Sequence, residues 1–242
     1  MSGKRVDLNS SDGVLDLHAF TPESGVGPRP AVVFYMDAFG IRPELASMAQ
    51  RLASNGYVVA LPNLYYRTPF APNVVATEGP ERERFKSMIA SINHAMVMRD
   101  TGLVISWLDE QTSAKQGGLA TLGYCMGGGY ALSAAGAFPD RVVVAASFHG
   151  GSLATDKADS PHRLATQLRA RIYVGAAEID ASFPPEQQAR LGQALTDAGV
   201  RHTIEIYPTA KHGFAVNGHI AYDRAAAELH WQRLVDLLKE TL

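Results

Sequence analysis

The stretch Leu119-Ala120-Thr121-Leu122-Gly123-Tyr124-Cys125-Met126-Gly127-Gly128-Gly129-Tyr130 carries an apolar run straight into a glycine-rich helix start, with the only cysteine of the chain at the junction. Gly123-x-Cys125-x-Gly127 is the spacing of a sharp strand-to-helix reversal that presents a nucleophile at its tip. The glycines answer a steric need. Such a reversal leaves no room for a Cβ two residues before or after the tip, and the tip residue itself sits in strained backbone. The thiol is then held up at the sheet edge, above the amide end of the following helix. Those N–H groups favour negative charge and are placed to donate to a developing oxyanion. A lone cysteine also fits a plain role as a small buried hydrophobe, so the reading depends on what else the chain supplies.

Outward from this point, two kinds of segment alternate. Val6–Leu8 and Val14–Phe20 flank the turn signal Ser10-Ser11-Asp12-Gly13 and predict an antiparallel hairpin at a sheet edge. After a Pro/Gly-rich link from Pro22 to Pro30, Ala31–Tyr35 is a continuous apolar run of the kind covered on both faces. Leu45, Met48, Ala49 and Leu52 recur at helical spacing from Pro43 to Ser54, and Asn55-Gly56 closes that helix. Tyr57–Leu61 reads as a strand, Pro62–Pro80 as a long loop, and Glu81–Ile92 and His94–Gln111 as helices. The elbow strand Leu119–Leu122 and its helix Gly127–Ala137 follow, then a strand at Val142–Phe148. Arg171–Gly175, Glu186–Ala198, His202–Tyr207 and Ile220–Leu238 make a closing strand-helix-strand-helix series. This alternation predicts an α/β fold, a mostly parallel sheet flanked by helices on both faces with ligands bound outside the carboxyl ends of the strands.

The whole chain of 242 residues, 46% hydrophobic and 19% charged, suits one such domain over residues 1–242. A net charge of -2 argues against nucleic acid as a partner, and the absence of a long apolar run argues against the membrane. The beginning, Met1-Ser2-Gly3-Lys4-Arg5, lacks a signal core, and one cysteine makes no internal disulfide. The expectation is a reducing, cytoplasmic setting, a monomer or homodimer, and a small-molecule substrate. No metal-ligand cluster or phosphate-binding loop is apparent in the sequence, so no cofactor and no metal are expected.

Two later loops supply an acid and an imidazole. Ile172-Tyr173-Val174-Gly175 runs into Ala176-Ala177-Glu178-Ile179-Asp180, and Ile204-Glu205-Ile206-Tyr207 runs into Pro208-Thr209-Ala210-Lys211-His212-Gly213-Phe214. Glu178 and Asp180 both qualify as the acid, with Asp180 deeper in its loop. His212 is set apart from the other histidines by its Gly and Phe neighbours and its place after the last strand. Cysteine, then acid, then histidine is also the chain order of catalytic groups in α/β hydrolases. In that arrangement the imidazole draws the proton from sulfur while the carboxylate fixes its tautomer and stabilises the imidazolium.

Gly123-Tyr124-Cys125-Met126-Gly127-Gly128, together with Asp37-Ala38-Phe39-Gly40, Pro62-Asn63-Leu64-Tyr65, Asp180 and Lys211-His212-Gly213-Phe214, resembles the dienelactone hydrolase family of α/β hydrolases. The resemblance runs from the first hairpin to the last helix. It implies the α/β-hydrolase fold, Cys125 as nucleophile, His212 as base, Asp180 as the acid that orients it, and the N–H groups of Met126 and Ala38 as the oxyanion hole. It also places a glutamate at Asp37, where that side chain interacts with the resting thiol, so Asp37 is a candidate to modulate Cys125; the plainer reading of Asp37 is a cap on the loop that follows it.

Family members acting on the dienelactone hold its carboxylate with two arginines. Arg84 stands where the first is implied. Val216 stands where the second is implied, and an apolar side chain cannot pair with a carboxylate, so a neutral or more apolar ester or lactone is the expected substrate. Phe39, Tyr65, Arg67 and His149 are further candidates for the pocket mouth. The expected activity is carboxylic ester hydrolysis through an acyl-thioester. The alternatives are a thioesterase or peptidase on the same triad, or a non-hydrolytic biosynthetic enzyme that uses His212 and Asp37 for proton transfer.

Overall fold

The computed structural model describes residues 3–22, 27–68 and 79–242. Among these residues eight strands form one sheet in the order β1-β2-β4-β3-β5-β6-β7-β8. β1 (Lys4–Ser10) and β2 (Gly13–Phe20) are the predicted hairpin, and β2 also pairs antiparallel with β4 (Val58–Pro62). From β4 onward all neighbours are parallel: β3 (Ala31–Tyr35), β5 (Leu119–Tyr124), β6 (Val142–Phe148), β7 (Arg171–Ile179) and β8 (His202–Lys211).

Burial follows from this order. β3, β4 and β5 lie inside the sheet with helices over both faces, and every one of their residues is buried, which is why their sequences read as unbroken apolar runs. β1 is the outer strand, and its residues are exposed or half-buried in alternation. Around the sheet lie α1 (Pro43–Ser54), α2 (Gly79–Ala90), α3 (His94–Glu110), α4 (Met126–Ala137), α5 (Pro185–Asp197) and α6 (Arg224–Thr241). α4 is the innermost helix. Glycine and alanine dominate it, and Gly127 to Gly136 are all buried, so the helix that starts at the thiol is wedged against the sheet. Among the described residues no helix is long and apolar enough to cross a membrane.

Several boundaries differ from the sequence reading. The last helix begins at Arg224 rather than Ile220, because the Asp223 side chain accepts from Ala226 N at 3.0 Å and caps it there, while Ile220 is left exposed. A short 3₁₀ helix, Pro161–Gln167, has no counterpart in the periodicity, being too brief to develop one. β7 and β8 run on to Ile179 and Lys211, so Glu178 is a strand residue; its Oε2 accepts from Thr209 N at 2.7 Å across the pair. The helix after the long loop is Gly79–Ala90, and residues 69–78 of that predicted loop lie outside the described residues, as do 23–26 of the earlier link.

The order of parallel strands has one consequence for chemistry. The carboxyl ends of β3, β5, β6, β7 and β8 all open on the same edge, and directly after them stand Asp37 and Ala38, Cys125, His149, Asp180 and His212.

Candidate active site

Cys125 has φ 55° and ψ -123°, a left-handed conformation that costs a non-glycine residue on the order of 1–3 kcal/mol. The two flanking glycines make it possible. A Cβ on Gly123 would lie 1.9 Å from the Gly127 carbonyl oxygen, and one on Gly127 would lie 2.5 Å from the Met36 carbonyl oxygen. Both contacts are with backbone that cannot retreat, so any larger residue would push the reversal open. The Cys125 carbonyl is tied down by Gly128 N at 3.1 Å and Gly151 N at 3.3 Å, and its own N–H donates to the Phe148 carbonyl at 3.2 Å.

The thiol is half-buried. His212 Nε2 lies 3.0 Å from Cys125 Sγ, and His212 Nδ1 lies 2.7 Å from Asp180 Oδ2. Asp180 is buried to 2% side-chain exposure, and its other oxygen accepts from both Ser182 N at 2.8 Å and Ser182 Oγ at 2.6 Å. Burial raises the carboxyl, but the bonds from His212 and Ser182 outweigh it and hold Asp180 below its ordinary value. For His212, burial opposes the charge, yet the bond to Asp180 and the adjacent sulfur lift it to about 10. The ring therefore keeps its proton at neutral pH when it faces a sulfur anion.

Ser182 went unnoticed in the sequence. Its hydroxyl also stands 3.1 Å from His212 Nδ1, so it braces the acid and the imidazole together. The signal was Asp180-x-Ser182, an aspartate that accepts from the backbone two residues on, as in many tight turns.

A cavity of about 640 Å³ opens beside the sulfur. Cys125, Met126, Ala38 and His212 line it, together with His94, Tyr130, Lys86 and Lys157. The Ala38 segment is fixed from outside: the Tyr65 hydroxyl donates to the Ala38 carbonyl at 3.0 Å, and Phe39 N donates to Asp37 Oδ1 at 2.9 Å.

Other candidates are placed elsewhere. Asp37 is turned to Arg42, whose guanidinium donates to both its oxygens at 2.6 and 2.7 Å, and no Asp37–Cys125 hydrogen bond is present among the described residues. The loop-capping reading describes it. Arg67 does not reach the cavity mouth, being held by Asp100 through two bonds of 2.8 Å and by Asp12 at 2.8 Å. Val216 is 1% exposed and packs in the core, so it touches no substrate space. Tyr65 is buried behind Ala38. His149 is 1% exposed, with φ 38° and its ring edge-on to His212 at 5.2 Å; it lies beneath the imidazole rather than at the mouth, and burial holds it well below its ordinary value. Phe39 stacks on Phe85 at 5.1 Å between ring centres, outside the cavity lining, and Arg84 is exposed on α2. For Asp37, Phe39, Tyr65, Arg67 and His149 the polar or aromatic character serves local pairing and packing, which sequence alone does not separate from a role at the mouth. Among the described residues no group of three or more His, Cys, Asp or Glu side chains is arranged to hold a metal ion.

Comparison with known proteins agrees with this architecture. The family model described as "Dienelactone hydrolase family" matches residues 15–242. An Escherichia coli protein named "Putative carboxymethylenebutenolidase" is 29% identical over 244 residues, spanning 96% of this chain and 84% of that protein. A Synechocystis protein of the same name is 28% identical over 90% of this chain and 88% of its own. The crystal structure of a protein described as "Putative Dienelactone Hydrolase" from Klebsiella pneumoniae superimposes with a TM-score of 0.87 at 26% identity, covering 97% of both chains. With the α/β-hydrolase sheet, the strained elbow and the family match over nearly all of its length, the chain belongs to the dienelactone hydrolase family and is a hydrolase of that kind.

Proposed function

We propose that the protein hydrolyses carboxylic esters or lactones through an acyl-thioester on Cys125. One observation carries the reading: sulfur, imidazole and carboxylate stand in line at 3.0 and 2.7 Å at the wall of an open cavity. Cys125 Sγ attacks the carbonyl carbon, and the N–H groups of Met126 and Ala38 receive the oxygen as it becomes negative. The carbon–oxygen bond to the alcohol then breaks, and the departing alkoxide or enolate takes the proton from His212 Nε2. A water that gives its proton back to His212 attacks the thioester, the acid leaves, and sulfur is restored. Asp180 holds Nδ1 of the ring throughout, and Ser182 holds Asp180.

The reading favours an uncharged ester or lactone, because among the described residues no arginine lines the cavity. Lys86 and Lys157 on the cavity wall support a second reading, in which a substrate carboxylate is met by ammonium groups instead. A proton-transfer enzyme relying on Asp37 has little support, since both oxygens of that carboxylate are engaged by Arg42. A thioesterase or peptidase on the same residues differs only in the acyl donor, and amides, with their poor leaving groups, suit a thiol least.

The test is acid quenching of the protein during turnover of p-nitrophenyl acetate, followed by peptide mass spectrometry. An acetyl group is expected on the Cys125 peptide, with turnover falling to background in Cys125→Ala. Turnover that survives in Cys125→Ala, with no acyl adduct on the wild type, overturns the proposal. Paired lactones with and without a carboxylate separate the two substrate readings.

A further inference from the structure

The cavity beside Cys125 has a neighbour. A second cavity of about 220 Å³ adjoins it, and His94, Asp159 and Ser160 line both. Beyond those residues the second cavity is chiefly apolar, with Met98 from α3, Ala137 from α4 and Leu164 from the 3₁₀ helix on its walls.

Small residues of α4 lie along this region. Gly129, Ser133 and Ala137 are four apart and share one face of the helix, and α3 packs onto that face through the hydrogen bond between His94 and Ser133. The neck is at Gly129. A methyl placed there would stand 3.7 Å from His94 Cε1 and 3.7 Å from Pro161 Cγ, ordinary contact on both sides. The His94 ring is a fixed wall, bonded through Nδ1 to Ser133 Oγ at 2.7 Å and edge-on to Tyr130 at 5.0 Å.

The chemistry says which part of a substrate goes there. In the thioester reading above, on which this inference rests, His212 gives its proton to the departing alcohol, so the leaving group stands against that ring. Neither His212 nor Ser182 nor Gly151 lines the second cavity, although all three line the first. The group directed toward it is the one that stays on sulfur. We propose that the second cavity is an acyl-chain subsite that takes an unbranched aliphatic chain of the hexanoyl to octanoyl class. Each methylene moved from water into such a wall is worth about fourfold in kcat/KM.

Two series of esters test it. With p-nitrophenyl acetate, butyrate, hexanoate and octanoate, kcat/KM is expected to climb by up to about fourfold per methylene until the cavity is full. Acetate esters of lengthening alcohols are expected to show no such climb. Gly129→Ala at the neck, a change that favours a helix, and Ala137→Leu at the far end are each expected to lower the octanoate-to-acetate ratio at least tenfold. A flat acyl series, an unchanged ratio in both variants, or a climb confined to the alcohol series overturns the subsite. A flat acyl series with acetate turnover that still requires Cys125 overturns the subsite alone and leaves the thioester reading standing. Binding of 1-octanol by calorimetry needs no turnover: saturable binding weakened by Gly129→Ala supports the subsite, and its absence overturns it whether or not Cys125 proves to be the nucleophile.

Discussion

Asp37 and Asp180 invite comparison. Each stands just past the end of a parallel strand, each is nearly sealed from solvent at 3% and 2% side-chain exposure, and each is paired with a cationic side chain. Their partners differ. Arg42 spends two guanidinium donors on the two oxygens of Asp37, and the pair closes on itself and on the Gly40 carbonyl. His212 spends one nitrogen on Asp180 and keeps the other for Cys125 Sγ. A buried carboxylate thus becomes chemically useful through a partner with two distinct faces, one bound and one directed at the cavity. Charge and burial alone do not tell the two apart.

The comparison is most sharply tested by removing the charge on the imidazole side. Asp180→Asn keeps the shape, but an amide can donate to Nδ1 and select the wrong tautomer, leaving Nε2 unable to accept a proton. A fall in kcat of about a thousandfold to ten-thousandfold is expected on p-nitrophenyl acetate, with the fold intact by circular dichroism. A loss of less than tenfold would mean that His212 does not depend on this carboxylate.

Asp37→Asn should act on a different quantity. Breaking one side of a buried, two-pronged pair leaves the Arg42 guanidinium underpaired, and urea unfolding should report about 3 kcal/mol of lost stability. The kcat of the folded variant should stay within tenfold of the wild type, because the carboxylate makes no bond to Cys125. If kcat falls as far as in Asp180→Asn, the two regions are not distinct and Asp37 does govern the thiol.

How much of this was legible in the sequence depends on how local each cause is. The elbow was readable because its steric demand lies within five residues, from Gly123 to Gly127. That β3, β5 and β6 run buried through a parallel sheet was foreshadowed by their apolar runs, and with it a site at the carboxyl ends of the strands. What failed to show was partner choice. Asp37 meets Arg42 five residues on, and Arg67 meets Asp100 across 33 residues, pairings that are set by how the loops come to rest on α1 and α3. The same holds for Val216. Its apolar character was read as a gap in a substrate clamp, whereas the chain turns it into the core. The subsite behind Gly129 was hidden too, since a cavity is made by what three separate segments leave unfilled.

The mildest prediction concerns acid and base rather than substitution at the acid. His212 is held at about 10 in the folded chain, above the 6.5 of an ordinary imidazole, because Asp180 and the sulfur outweigh its burial. Between those values the part of the lift that Asp180 supplies keeps on the folded protein a proton that the unfolded chain has released. The stabilisation is therefore complete below pH 6.5 and is lost as pH rises toward 10. The part of the lift supplied by the sulfur anion adds no bound proton, since the thiol has given up its own, and with the ring part exposed the drift due to Asp180 is expected to be about 1 kcal/mol. Urea unfolding of wild type and His212→Gln from pH 6 to 10 gives the measurement, the difference between the two being expected to shrink steadily with rising pH. Asp37→Asn serves as the control, its deficit showing no such drift. A wild-type advantage that stays constant or widens with pH would show that the imidazole holds no extra proton, and the distinction between a carboxylate that closes its charge and one that passes it on would lose its electrostatic basis.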